Sequence, residues 1–439
     1  MSSGLPITNA IRLEQISGPT AIQILVPQEA FLKKFPMAPM FILFGDVHYS
    51  DKNLCQNVES KYQLHKPEFL ELLCNLLQKN DVMQEKIDFY MEGGDIFSMH
   101  VHIPDTNVPM LLINNLFLAC QNDTTGQFKS IENIQWQSGD SRFWSAYPPK
   151  MMQQIAKSQK EPLKYYSLNI FLIKLRSEKP GIKSDEAVFV NNIKSIAYGI
   201  RSNGLYLNAA LLAVSPQELY NEYILKDTSL LYYEISKIPS KEDANYLRQM
   251  YKQYIFEMMN EFYHKYNAHD EKAQLELCEK IVSIHHLLMD YSTDDSIFYT
   301  ALPDQRGAKL FYNQKDLDLL HEFVVHSEGF MADLYTLARS FSRMVKQSTN
   351  HSIINICYFG HTHTEHMGHF LYNILGSQNY TYALNIAPLY IPELNDYNRC
   401  IDFKNMSGIH SMPSLKQQLN KMRKLRYNAP IGDSPCVIS

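Results

Sequence analysis

Two stretches of the chain share one pattern of hydrophobic and polar positions. In each, an apolar run rich in aromatic or β-branched residues ends in Gly-x-x-His; the runs begin at Phe41 and Ile353, and the glycines are Gly45 and Gly360. Apolar runs of this length are typical of buried strands, and glycine lets the backbone turn sharply where a strand ends. The pattern therefore predicts two buried strands, each followed by a turn that carries a histidine.

The segments near these runs predict the rest of an α/β fold. Leucine and phenylalanine recur at helical spacing over 67–79, and a third apolar run covers 87–92. Strand, helix and strand in this order form a βαβ unit, whose strands pair in parallel by default. We therefore expect a mostly parallel sheet, assembled from both ends of the chain, with 41–48, 87–92 and 353–359 as its central strands.

A long helical pattern lies between the two halves of this sheet. From about residue 150 to residue 330, apolar side chains recur every three or four positions, which predicts a large helical insertion or cap. Prolines interrupt the apolar runs of residues 1–40, so an irregular lead-in or an edge strand is expected there. After the insertion the pattern predicts helices over 333–346 and 365–375 and a strand over 380–386. The predicted domains are 1–150 and 331–403 as the two halves of the α/β lobe, 151–330 as the insertion, and 404–439 as a basic tail.

Composition narrows the class of protein. The chain has 439 residues, 45% hydrophobic and 20% charged, which is ordinary for a globular protein and long enough for two lobes. The formal net charge of −5 gives no overall attraction for nucleic acid, and we expect neither a signal peptide nor a membrane-spanning helix. The seven cysteines are scattered, odd in number and without a C-x-x-C pair. They predict neither a disulfide framework nor a zinc knuckle, and they favour a reducing compartment.

Carboxylates and histidines collect at the predicted strand ends. Because parallel strands bring their carboxyl ends to one edge of a sheet, residues remote in sequence would meet there. Carboxylate oxygens and neutral imidazoles suit a divalent ion such as Mn, Zn, Fe or Co. The predicted metal ligands are Asp46, His48, Glu92, His361 and His363. The alternative is that these residues only cap turns or form ordinary hydrogen bonds.

The same edge carries groups suited to hydrolysis. A metal-bound water would lose its proton to a carboxylate, Glu92 or Asp95, and Arg142 or Arg339 would stabilise the developing negative charge. His366 and His369 are further ligand candidates on the next predicted helix. The chain contains no G-x-S-x-G, Walker A or G-x-G-x-x-G motif, which argues against serine hydrolases, P-loop enzymes and dinucleotide enzymes.

Together these motifs resemble the TIKI/TraB/ChaN/erythromycin-esterase-like superfamily. The residues that carry the likeness are Gly45, His48, Glu92, Arg339, Arg343, Gly360 and His363. The likeness covers roughly a third of the chain and extends to uncharacterised proteins of large DNA viruses. It implies a metal-dependent hydrolase of ester or peptide bonds. In that resemblance the two motif histidines and Glu92 are metal or acid–base residues, and Arg339 or Arg343 is a structural or substrate-facing cation.

Two other interpretations stay open. Segments 46–48, 94–95 and 360–363 also resemble the metal motifs of calcineurin-like metallophosphoesterases, but Gly139-Asp140-Ser141 stands where that family has Gly-Asn-His. This departure removes a bridging metal ligand and the histidine that assists the leaving group. The helix predicted over 365–375 also falls where that fold has a strand. The third interpretation is a non-catalytic, membrane-anchored binding or scaffold protein whose helical region is the partner surface.

The last four residues, Cys436-Val437-Ile438-Ser439, match a C-a-a-X box, and serine at the final position is typical of farnesylation. One prenyl chain binds membranes weakly, and a polybasic segment is the second signal that stabilises attachment. The basic residues just upstream are Lys416, Lys421, Arg423, Lys424 and Arg426. We therefore expect a prenyltransferase to modify Cys436, and the protein to lie on the cytoplasmic face of a eukaryotic membrane rather than free in the cytoplasm. The owner would be a eukaryote, a virus of one, or a bacterium that delivers the protein into a host as an effector.

Substituting Cys436 is expected to abolish membrane attachment. A fluorescent protein fused to the N-terminus should label membranes in a eukaryotic cell, whereas the Cys436→Ser variant should be diffuse, because the prenyl anchor is lost. Arg426→Ala, a matched change that keeps the cysteine, should weaken attachment by only about 1 kcal/mol. An identical diffuse signal for the wild type and Cys436→Ser would show that the box is coincidental.

Overall fold

The computed structural model describes residues 15–47, 54–55, 58–64, 66–77, 87–92, 134–138, 213–227, 229–238, 240–293, 314–344, 354–392, 396–402 and 419–424. The chain divides into two compact units: unit 1 is Met1–Gly94, His102–Gly139 and Ser340–Ser439, and unit 2 is Asp95–Val101 and Asp140–Arg339. The four predicted domains stay a prediction, because most of 95–212 and all of 425–439 lie outside the described residues.

The described strands all belong to unit 1. They are β1 (Gln15–Ser17), β2 (Ala21–Pro27), β3 (Met40–Asp46), β4 (Ile87–Met91), β5 (Ile134–Ser138), β6 (Ile354–Gly360), β7 (Tyr380–Ile386), β8 (Tyr390–Ile391), β9 (Asp396–Tyr397) and β10 (Cys400–Asp402). Six of them form the main sheet, in the order β5-β4-β6-β3-β2-β7, while β1 pairs with β10 and β8 pairs with β9.

The main sheet is mixed. Strands β5, β4, β6 and β3 are parallel neighbours, β2 is antiparallel to β3, and β7 is antiparallel to β2. The predicted parallel pairing of the strands near 41–48, 87–92 and 353–359 is confirmed. Every residue of β3, β4 and β6 is buried, as expected for parallel strands that are covered on both faces.

Strand β2 corrects the prediction for the first 40 residues. It is buried along its whole length and lies between β3 and β7, so Ala21–Pro27 is neither irregular nor an edge strand. Pro27 is its last residue, a position where the missing amide hydrogen interrupts little of the ladder. Proline therefore ends this strand at residue 27 but does not prevent the strand from forming.

Helices pack on both faces of the sheet. On one face Phe44 contacts Phe69 of the helix Pro67–Leu77, with ring centroids 6.0 Å apart. On the other face Phe41 contacts Phe341, near the end of the helix Gln314–Met344, at 6.1 Å. Because successive side chains of a strand point to opposite faces, these two contacts define a three-layer α/β/α arrangement within unit 1.

The helix after β6 starts earlier than predicted. It runs over His361–His369 and continues as a π-helical turn, Phe370–Ile374, and Gly376 follows with the positive φ of +96° expected of a helix-ending glycine. The predicted turn at 361–364 is therefore wrong. Gly360 itself is the N-cap residue, so the strand passes directly into the helix.

The described part of unit 2 is helical, as predicted. Its α-helices are Pro216–Leu219, Leu230–Ser236, Lys241–Lys265, Glu271–Thr293 and the part of Gln314–Met344 up to Arg339, and a π-helical segment, Tyr220–Leu225, follows the first of them. Ser240 caps the third of these α-helices by accepting a hydrogen bond from the backbone N–H of Asp243. Along that helix Leu247, Tyr251 and Tyr254 form a fully buried stripe. Among the described residues, no helix combines the length and apolar composition needed to cross a bilayer.

One disulfide corrects the expectation from the cysteine count. Cys55 and Cys400 are bonded although they lie 345 residues apart in the sequence. The bond forms where β1 pairs with β10: Ser17 is the register partner of Cys400, and its hydroxyl accepts a hydrogen bond from the backbone N–H of Cys55 at 3.1 Å. Spacing along the chain could not reveal this pair, because only the tertiary fold brings the two segments together.

Breaking this bond is expected to lower the free energy of unfolding by about 2–4 kcal/mol, because the cross-link restricts the unfolded chain over a very long loop. Thermal unfolding should be measured for the wild type and Cys55→Ser, each with and without dithiothreitol. The reductant should lower the melting temperature of the wild type to that of the variant and leave the variant unchanged. Equal wild-type stability with and without reductant would contradict a structural role for the bond.

Candidate functional site

The candidate site lies at the carboxyl ends of β4, β6 and β3, which are neighbours in the sheet. After β4 the next described strand of the main sheet is β5, which lies on the side of β4 away from β6. After β6 the next is β7, which lies on the side of β6 away from β4. Adjacent parallel strands whose connections depart in opposite directions define a topological switch point, where open α/β sheets bind their ligands. The topology therefore places the predicted strand-end residues at a favourable position for a site.

Glu92 and His363 meet at this edge. Glu92 follows β4, and its Oε2 accepts a hydrogen bond at 2.8 Å from the backbone N–H of Gly360, a residue 268 positions away. Its Oε1 lies 3.6 Å from Nε2 of His363, and the two side chains are only 9% and 13% exposed. This separation is longer than a hydrogen bond, so it is a contact of opposite charges when the imidazole is protonated. The predicted association of these two residues is thus present.

Gly45 explains how the helix bearing His363 comes so close to β3. A Cβ atom at position 45 would lie 2.7 Å from Oγ1 of Thr364 and 3.0 Å from Cα of His361. Only glycine leaves room for the first helical turn to rest on the strand end. The glycine of the first motif therefore serves close helix–strand packing, and the predicted role in a turn is replaced by this one.

The first turn of the helix holds two histidines with different carboxylate neighbours. His363 lies beside Glu92, whereas Nε2 of His361 is 3.9 Å from Oε2 of Glu365. The ring of His361 also lies 6.1 Å from that of Tyr397. The two imidazoles, which sequence analysis treated as one set of ligands, thus occupy distinct surroundings.

Asp46 belongs to a buried ion pair. Its Oδ1 lies 2.8 Å from Nη1 of Arg399 and accepts a hydrogen bond at 2.7 Å from the backbone N–H of Val47. Its Oδ2 accepts a hydrogen bond from the hydroxyl of Tyr358. Both charged side chains are almost completely buried. Asp46 is therefore the counter-ion of an arginine in this structure, and its predicted role as a metal ligand stays a prediction.

Arg399 joins several segments besides β3. Its guanidinium donates hydrogen bonds to the backbone carbonyl of Gly18, at 3.3 Å, and to that of Val47. A buried charge is tolerated when it is paired with an opposite charge, as Arg399 is with Asp46; its Nε is also buried and makes no hydrogen bond within the described residues. The sequence does not reveal this role of Arg399, because nothing in the local pattern distinguishes it from a surface arginine. The available signal is Asp46, whose burial at a strand end requires a cation nearby.

Tyr358 is a permanent hydrogen-bond donor to this pair. Burial raises the pKa of its hydroxyl well above the ordinary value, and the charge of Asp46 and the hydrogen bond to it act in the same direction; Arg399 acts in the opposite direction. The hydroxyl therefore keeps its proton at neutral pH. It satisfies the second oxygen of Asp46 without adding charge.

The remaining predicted residues are placed as follows. His48, Asp95, Arg142 and Cys436 lie outside the described residues, as does the side chain of Arg343. Arg339 belongs to unit 2, where its Nη1 donates to the hydroxyl of Tyr335 at 3.4 Å. His369 contacts Asn373, with Nδ1 2.8 Å from Nδ2. The roles predicted for these residues stay predictions.

A metal site is only partly defined. Glu92 and His363 supply an oxygen and a nitrogen of the kinds that divalent ions bind. Within the described part of the chain, no group of three or more histidines, cysteines or carboxylates is arranged to hold an ion. A complete set would thus need a further ligand, for which His48 is the sequence candidate; Asp95 is a candidate only in the calcineurin-like interpretation.

Comparison with known proteins adds no family: the chain matches no protein-family model, no curated protein and no solved structure. The resemblances noted in the sequence therefore rest on their motifs alone.

Removing Arg399 is expected to destabilise the protein strongly. Arg399→Ala leaves the buried carboxylate of Asp46 without its cation, which typically costs about 3–5 kcal/mol. The double variant Asp46→Asn/Arg399→Met keeps an acceptor for Tyr358 and leaves no buried charge, so it should lose less. Urea denaturation monitored by circular dichroism measures both.

The control for this experiment is Lys33→Ala, which removes an exposed ion pair with Glu29 and should cost less than about 1 kcal/mol. If Arg399→Ala were no more destabilising than Lys33→Ala, the ion pair would not be a structural requirement.

Proposed function

We propose that the chain is a hydrolase of ester or peptide bonds in which Glu92 and His363 are the catalytic pair. The observation that carries the proposal is their meeting, with both side chains largely buried, at the carboxyl edge of the parallel strands. A carboxylate and an imidazole brought together at a topological switch point are typical of acid–base catalysis rather than of a surface ion pair. The proposal takes the α/β lobe to be assembled from both ends of the chain, for which the order β4-β6-β3 is the support.

His363 is proposed to accept and return the proton of the attacking water. Imidazole changes its charge near neutral pH and is therefore suited to both steps. Glu92 is held in place by the N–H of Gly360, so its second oxygen is directed at His363 in a fixed position. As His363 takes up a proton, the nearby carboxylate stabilises the imidazolium that forms.

We include a divalent ion in the proposal as a second way to activate the water: it would be bound by His363 and Glu92 together with His48 or His361, and the proton of the water would then pass to Asp95, because a metal-bound imidazole has no lone pair left to accept it. When bound, such an ion polarises the scissile group and lowers the pKa of its bound water toward neutrality. Arg142 or Arg339 stays the proposed partner of the negative charge that develops during hydrolysis. The carboxylate of Asp46 has Arg399 as its counter-ion, so we assign it to support of the site.

A phosphoesterase of the calcineurin-like kind has less support. That interpretation expects a strand after the last histidine motif, whereas a helix begins at His361 itself. The arginine at this edge, Arg399, is buried against Asp46 and is occupied with backbone carbonyls. Its charge therefore does not favour a phosphate group.

Substituting the pair should abolish hydrolysis while leaving the fold intact. His363→Ala and Glu92→Gln are expected to slow hydrolysis of p-nitrophenyl acetate or of a fluorogenic peptide by roughly 100-fold or more, since general acid–base catalysis contributes that much. His264→Ala, which removes an exposed histidine of unit 2, is the matched control and should keep full activity. Assays should be run after chelation and with added Mn²⁺ or Zn²⁺, and bound metal should be measured for the wild type and His48→Ala/His363→Ala.

The outcomes separate the interpretations. Equal metal content in the wild type and the double variant would remove the ion from the proposal and leave the acid–base pair. Hydrolysis of bis(p-nitrophenyl) phosphate that is lost in His361→Ala would favour the calcineurin-like alternative. A wild type inactive toward every substrate, with every ion, would contradict the hydrolase and favour the binding or scaffold protein.

A further inference from the structure

A small hairpin carries aromatic rings next to His361. Tyr390 of β8 and Tyr397 of β9 are direct register partners, with ring centroids 5.2 Å apart in an edge-to-face arrangement. The ring of Tyr397 lies 6.1 Å from that of His361. Leu389, which precedes β8, is 63% exposed, and Tyr390 is 44% exposed. We call Leu389, Tyr390 and Tyr397 the tyrosine wall.

The wall is fixed to the site by short connections. The backbone N–H of Asn398 donates to the carbonyl of Leu389 at 2.7 Å, which closes the base of the hairpin. The next residue, Arg399, pairs with Asp46 at the end of β3, and Cys400 is bonded to Cys55. The rings therefore stand on a rigid base, although the hairpin itself is short. Rigid aromatic side chains that are exposed beside a site are suited to contact a ligand, because little conformational freedom is lost on binding.

The charges around the wall disfavour an anionic ligand group. Arg399, the cation adjacent to the hairpin in sequence, has its charge balanced by Asp46 in a buried pair. The carboxylate of Glu365 lies 3.9 Å from His361. This carboxylate would repel a phosphate or carboxylate group, whereas tyrosine rings offer apolar faces with a polar tip.

We propose that the tyrosine wall binds an aromatic group of the substrate that carries no negative charge, and so determines substrate specificity. His361 contacts Tyr397 and lies on the same helix as His363, a helix that begins at the end of β6. The substrate class is then an ester or amide with such an aromatic substituent. This inference rests on the proposed function for the reaction, but the binding of the aromatic group is measurable without catalysis.

The test is ligand binding, measured by ¹⁹F NMR titration of N-(4-fluorobenzyl)acetamide, an uncharged aromatic amide. The wild type should bind it, and Tyr390→Ala and Tyr397→Ala should each weaken binding by roughly 2- to 10-fold, the loss of one aromatic contact. Tyr397→Phe keeps the ring and should restore binding. Tyr233→Ala removes a tyrosine of unit 2 that is 52% exposed and is the matched control, with unchanged affinity.

Two further arms keep this inference separate from the proposed hydrolase. His363→Ala should bind the amide as the wild type does, so binding by the tyrosine wall can be demonstrated even if the protein has no hydrolase activity. 4-Fluorobenzyl phosphate should bind more weakly than the amide. No binding of the amide, equal binding by the wild type and both alanine variants, or preference for the phosphate would overturn the inference.

Discussion

A buried carboxylate requires a cation as its counter-ion. In this protein the carboxylate is that of Asp46, and the cation is Arg399, which is remote from it in the sequence. Asp46 ends the central strand β3, and its partner Arg399 also binds the carbonyls of Gly18 and Val47. The pair thereby joins β3 to the segment before β10, which in turn pairs with β1 and carries the disulfide to Cys55. The strand end, the helix start and the hairpin of the tyrosine wall all depend on this one neutralised charge for their relative positions.

A second constraint acts at the helix start. Because Gly45 has no side chain, the first turn of His361–His369 rests on β3, and its N-terminal N–H groups lie at the strand edge. Glu92 supplies a carboxylate there by accepting the N–H of Gly360, an arrangement favoured by the positive end of the helix dipole. One glutamate thus caps a helix and contacts His363. Glu92→Gln keeps an oxygen that can accept the N–H of Gly360, so it removes the charge without removing the cap, whereas an alanine would remove both.

The sequence predicted the parts of the fold that local patterns encode. Strands β3, β4 and β6 are continuous apolar runs, so their burial and parallel pairing were predictable, and with them the meeting of Glu92 and His363 at one edge. Strand β2 was missed because prolines break its surroundings, and the start of the helix at His361 was missed because glycine suggested a turn. Arg399 and the disulfide could not be predicted, since each depends on a partner that only the tertiary fold brings near. The predicted ligand His48 and the predicted proton acceptor Asp95 lie outside the described residues.

The strand order has a consequence for how the chain must fold. Strand β6 lies between β4 and β3, so the first two parallel strands to leave the ribosome are not neighbours in the finished sheet. Until Ile354–Gly360 is synthesised, β3 and β4 each lack the hydrogen-bonding partner that separates them. Contacts between segments so far apart in sequence form slowly. Until they form, the exposed apolar edges of the strands favour aggregation. The protein is therefore expected to complete its sheet only after β6 and β7 have been synthesised, and a nascent chain that stalls before β6 would expose the unpaired edges of β3 and β4.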